Sequence, residues 1–392
     1  MSAQMISFLK TKLPILVAVL LLIPIYSLPV WWVSLTAPNY PVEAFPDGVK
    51  IHFHMNGVFN GCQAIESDEI TEDETLDCVH EMDTINHYVG MYPIASGGAL
   101  ENSLSIFLMT MLGVMMLGYL IDDPKQRMIG LSVGFSITAV WLLLALYMPD
   151  GLNFHNADYL NARVVALGQE GDDTDDKPMT AGEALIATLK ASLAGSGVEV
   201  AEDEDNDANL SLKEKDIAFL KDAFNSSQKK LAISEEWEGT GMQLLTWHYR
   251  TSLARYFNDP DKIDPMVKAM GMAGNIVTGF ILIIMATLVF VTRKTGSIFH
   301  KALILIPITL PALFILEYST WLGWYGHRMN DMGAFTLKPF MPTVFGQGKV
   351  AQFTTNSYPH VGFFLMLAVS ALLVYAMLAK RNEEAENQRD SD

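Results

Sequence analysis

The stretch LPILVAVLLLIPIYSLPVWWV, Leu13–Val33, decides how this chain is read. It carries no charge and is long enough to cross a hydrocarbon core of about 30 Å. Five further near-uncharged runs follow, Ser103–Ile121, Ile129–Met148, Met272–Val291, Ile298–Trp324 and Val361–Leu378. In lipid each run must be helical, because only a helix satisfies its own backbone polar groups. The expectation is an all-α integral membrane protein, with six transmembrane helices in three hairpins, large extracytoplasmic loops and a small acidic helical insert. The first run has the basic flank of a signal peptide. Its apolar core is too long and no small-x-small site follows, so it reads as an uncleaved span with Trp31 and Trp32 as interfacial anchors.

The division expected along the chain is a first helix in 1–33, a His/Met/Cys loop in 34–102, and a hairpin in 103–148. An acidic helical domain in 149–271 comes next, then a hairpin in 272–324, a loop in 325–360, and a last helix and polar tail in 361–392. Lysine and arginine set the orientation. Lys10, Lys12, Lys125, Arg127, Arg293, Lys294, Lys301, Lys380 and Arg381 flank the spans on one side, which places both termini in the cytoplasm of a cell inner (plasma) membrane. Lys50 is the one cation between Ser34 and Asn102. The ending EEAENQRDSD reads as a disordered tail. A net charge of −18, with its acid concentrated in the first two outer loops, excludes nucleic acid as a partner.

The chemistry concentrates between His52 and Met91. HFHMNG (His52–Gly57) precedes Cys62, an acidic run, and CVHEMDTINHYVGM (Cys78–Met91). His52 and His54 share one face of an extended strand, with Met55 following directly. If Cys78–Met91 is helical, His80, Asp83 and His87 fall on one stripe with Met91 beside it, and Met82 lies within the same segment. Imidazole and thioether together suit copper, since soft ligands favour Cu(I) and imidazole accepts either oxidation state. The candidate metal ligands are therefore His52, His54, Met55, His80, Met82, His87 and Met91, with Asp83 and Asn86 orienting imidazoles. Zinc, using His and Asp alone, leaves the methionines without a role. The competing reading is that these are ordinary polar and packing residues of a folded loop. Cys62 and Cys78, in one outer loop, point to a disulfide, with thiolate ligation as the alternative.

Further candidates lie outside this loop. His327, Met329, Met332, Met341 and His360 belong to a long, aromatic third outer loop expected to fold back over the helix ends. The glycines of FGQGKV lack phosphate-loop spacing. Asp203, Asp205, Asp207, Asn209, Ser211 and Glu214 occupy EF-hand ligand positions for calcium, although Ala208 replaces the glycine of the sharp turn. Glu317 is a carboxylate within the fifth run, where an intramembrane acid is a functional candidate and an interfacial glutamate the alternative. Pro307 and Pro311 predict a kink there.

At HFHMNG, INHYVGM and GKVAQFTTNSYPH, the chain resembles multi-pass membrane accessory proteins encoded with nitrous oxide reductase. The resemblance implies a role in maturing an exported copper enzyme, or in supplying it with copper or electrons, and leaves the acidic insert unexplained. The functional expectation is a membrane metal-binding accessory or delivery protein whose partners are lipid and another membrane or exported protein. The alternatives are a membrane metalloenzyme, an oxidoreductase or monooxygenase with its metal at the outer face, and a transporter. No nucleophile–base constellation or cofactor fingerprint is present.

Overall fold

The computed structural model describes residues 5, 7–38, 40–65, 74–94, 98–168, 211–231, 235–335, 337–350 and 352–389. Five of the described helices are long and apolar enough to cross a membrane, and a bent pair forms a sixth such unit. The first is a π-helical turn, Phe8–Lys12, running into α1, Leu13–Ser27. The apolar run continues to Val33, but the helix stops at Ser27. Leu28 precedes Pro29 and is forced into extended backbone with ψ 154°. The tryptophans beyond then enter a strand, β1, Trp31–Thr36.

That strand corrects the all-α expectation. The structure is mostly helical, yet the loops at one end of the bundle assemble a five-stranded antiparallel sheet. Its strands are β1, β2 (Val49–Phe53), β3 (Val58–Asn60), β6 (Gly346–Val350) and β7 (Phe353–Pro359), in the order β3-β2-β1-β7-β6. A separate short ladder pairs β4, Ala64–Ile65, with β5, Glu74–Thr75. Trp31 pairs with both Phe53 and Pro359, so β1 welds the first and third loops together. Alternation sorts the faces. Val49, Ile51 and Phe53 are buried, whereas Lys50 and His52 point the other way. The buried face packs on α2, Cys78–Tyr88, through Val79, Met82 and Ile85. Asp77 caps α2, accepting from the Val79 and His80 amides. A Cys62–Cys78 disulfide fastens the start of α2 beside the sheet.

The bundle continues with α3, Ala99–Tyr119, and α4, Pro124–Tyr147. A 3₁₀ turn, Gly151–Phe154, leads to α5, Ala157–Gly168. Helices α6, Leu212–Leu231, and α7, Gly241–Ala254, join α5 around Tyr159, Leu160, Phe224 and Trp247. The helical part of the insert is thus observed, and the segment 169–210 lies outside the described residues. Helix α8, Pro260–Val291, starts with Pro260 after the cap Asp259, so the boundary expected at 271 falls inside a helix.

Helices α9, Ile298–Ile308, and α10, Leu310–His327, meet at 62°. Pro311 has no amide to donate back across the join, and the ladder breaks at Thr309. The last helix, α11, runs from Val361 to Arg389. Its helical backbone replaces the disordered tail expected up to that residue.

Candidate functional site

The sheet brings one candidate metal motif together and separates it from the other. His52 lies on the face away from α2, and its ring centroid is 5.2 Å from that of His360, the residue after β7. His54 follows β2, its amide still bonded to the Gly57 carbonyl, and its Nδ1 lies 3.2 Å from the Ser27 carbonyl at the end of α1. His360 donates its amide to the Val30 carbonyl. Three histidines therefore surround the junction of α1 with β1.

Their nitrogens differ in availability. The Ser27 carbonyl can only accept, so it takes the proton on Nδ1 of His54 and leaves Nε2 with a lone pair. Nδ1 of His360 accepts the Val361 amide at 2.8 Å, which puts that ring's proton on Nε2. Nε2 of His52 is buried and, among the described residues, has no hydrogen-bond partner. Burial pushes His52 down to about 4, aided by His360, Lys50 and His54. Burial likewise pushes His54 down to about 4, against the opposing bond to Ser27. Both imidazoles are neutral near pH 7, the form that ligates a metal.

The second motif points elsewhere, because α2 packs on the opposite face of the sheet. Nδ1 of His80 accepts from Arg255 at 2.8 Å. The His87 ring stacks on Tyr256 at 4.8 Å and contacts Phe257. Met82 and Met91 are buried in the core between sheet and helices. Asp83 accepts from the Ile94 amide and faces Arg255 at 3.5 Å, while Asn86 is buried at the end of α2 and its carbonyl accepts from Val89 and Met91. The convergence of four imidazoles is thus not what the fold produces. Among the described residues, no three His, Cys, Asp or Glu side chains form a ready metal cage.

The third loop contributes His360 alone to the imidazole cluster. Nδ1 of His327 bonds the Gly323 carbonyl, Met329 packs on the core, and Met332 and Met341 are exposed. Of the candidate calcium ligands, Asp203, Asp205, Asp207 and Asn209 lie outside the described residues. Ser211 and Glu214 form a capping box at the start of α6, the Ser211 amide donating to the Glu214 carboxylate at 2.8 Å.

Two features escaped the sequence reading. A cavity of about 330 Å³ lies between α3 and the α9–α10 bend, next to the imidazole cluster. His54 and Met55 line it beside Glu101, Glu317 and Tyr318, and the two carboxylates are close enough to interact. The polar opening of the second run, with Glu101, Asn102 and Ser105 on neighbouring turns, was its sequence signal.

The other feature is Arg163, buried on α5. It donates to the Asn56 carbonyl at 3.1 Å, approaches Nε2 of His248 at 2.5 Å and covers Tyr159. Burial pulls its guanidinium below its ordinary range. A Cβ on Gly57 would lie 3.0 Å from this guanidinium, a tight contact that favours glycine in the turn after His54. No protein-family profile, curated protein or solved structure matches the chain.

Proposed function

We propose that the protein is an integral membrane factor that binds copper at its extracytoplasmic face and passes it on. The sheet end of the bundle is that face, because the basic residues flanking the spans cluster at the other end. The observation that carries the reading is the lone pair left on Nε2 of His54 together with the buried, unpartnered Nε2 of the neighbouring His52, at the membrane end of the sheet. Met55, which lines the same cavity as His54, is the thioether of the set. Two imidazoles with a thioether form a low-coordinate soft donor set, which favours Cu(I). A bound ion held this way stays exchangeable, as delivery to an exported enzyme demands. His360 bounds the site and caps α11.

The cavity beside His54 supports a second reading, catalysis at copper on a lipophilic substrate. Metal analysis of the purified full-length protein tests both. Copper that is stoichiometric and readily surrendered to a chelator or acceptor supports delivery. Tightly held copper that turns over a reductant supports the enzyme, and metal-free protein that takes up no Cu(I) overturns both.

A further inference from the structure

The cavity between α3 and the α9–α10 bend carries an inference that rests on the membrane placement and not on the metal. Helix α3 starts at the sheet end of the bundle and runs inward along one wall. Glu101 and Ser105 line the cavity near that start. Met109, Met111 and Leu112 line it further down, about 12–16 Å below Glu101 at the helical rise. Leu310 and Leu313 face them from α10, below Glu317. The space is thus polar towards the sheet and apolar towards the membrane interior. Glu317 and Leu313 are exposed, so the cavity opens on the surface that faces lipid.

Its charge is one-sided. Glu101 and Glu317 are present with no lysine or arginine among the described lining residues, and neither carboxylate is ion-paired there. Among the described residues the hydroxyl of Tyr318, a buried residue of the same wall, makes no well-formed hydrogen bond; it faces the Ser357 hydroxyl, which accepts from Trp31 and donates to Val344. Carboxylates at an apolar boundary call for a cation to compensate them. The volume is that of a small-ligand site.

We propose that this cavity binds an amphiphile with a single alkyl chain and a cationic amine head, entering from the lipid with the head between Glu101 and Glu317. The chain lies along Met109, Leu112 and Leu313. The test uses the full chain in nanodiscs of phosphatidylglycerol, whose head carries no cation, with empty discs as baseline. Spin-labelled alkylamine should show an immobilised population that the alcohol of equal chain length lacks. The double variant Glu101→Gln/Glu317→Gln should weaken amine binding about tenfold or more. Leu313→Trp, at a half-exposed position where bulk does not disturb the core, should block it with both carboxylates intact. Equal immobilisation of amine and alcohol overturns the proposal, as does undiminished amine binding by either variant. Copper uptake, measured on the same samples, reports independently on the metal site.

Discussion

The rings of His52 and His360 stand 5.2 Å apart, on the face of the sheet that α2 does not cover. That relationship separates the two histidine motifs of the first loop in space. Replacing His52 and His54 together with Ala should abolish stoichiometric copper. Replacing His80 and His87 together should leave it, since those rings serve Arg255 and Tyr256. Metal analysis and Cu(I) competition titrations of the two variants decide the matter. The reverse pattern would move the site to α2.

Cys62 and Cys78 are bonded across a separation of 16 residues. Closing a loop of that length removes chain entropy worth about 3 kcal/mol from the unfolded state. Thiol labelling of denatured, unreduced protein should find neither sulfur free. The double serine variant should unfold earlier, with the loss confined to the sheet and α2, as followed by hydrogen exchange.

How much of this was legible follows from where the signal resides. The apolar runs were readable because a membrane core sets both their length and their lack of charge. The end of α1 was readable only in part: Pro29 marked it, but Val30–Val33 is as apolar as the helix before it. The pairing of β1 with β7 was hidden, since nothing local in FTTNSYP announces a partner at the other end of the chain. That His52 and His54 lie near each other was legible from their spacing alone. His360 was seen only as a distant contributor, because its place depends on that long-range register. Asn56 and Arg163 form a hydrogen bond between segments with no common pattern, so no sequence signal links them.

Arg163 holds the turn that carries His54. Arg163→Met removes the donors to the Asn56 carbonyl and to His248, and hydrogen bonds from a charged group contribute about 1.5–3 kcal/mol each. The variant should melt several degrees lower and bind copper more weakly, whereas Arg163→Lys should restore part of both. Unchanged copper affinity in a destabilised Arg163→Met protein would show that the turn keeps its shape without the guanidinium.

Orientation can be measured directly. Reporters fused after Gly57 and Gly333 should score outside the cytoplasm, and those after Arg127 and Arg293 inside. A cytoplasmic signal at Gly57 would invert the bundle and remove the copper reading, since the sheet would then face a reducing compartment.

Acid should loosen the sheet end of the molecule before the bundle. His155, after the 3₁₀ turn, is buried, and both its nitrogens are occupied: Nε2 meets the Ser103 carbonyl and Nδ1 accepts the Asn156 amide. Burial pushes it down to about 4, with Lys213 adding to the effect and the Ser103 bond opposing it. Above about pH 6.5 the ring is neutral in both folded and unfolded chains and costs nothing. Between 6.5 and 4 only the unfolded chain takes up the proton, so stability falls as pH falls, by up to about 3 kcal/mol for a shift of this size. His52 and His54, pushed down the same way, add to the loss in the same direction. Melting temperatures of the metal-free protein should therefore drop steadily from pH 7 to pH 5. His155→Gln, which keeps a donor and an acceptor but cannot titrate there, should flatten the slope. A slope as steep in His155→Gln as in the parent protein would assign the acid sensitivity to other groups.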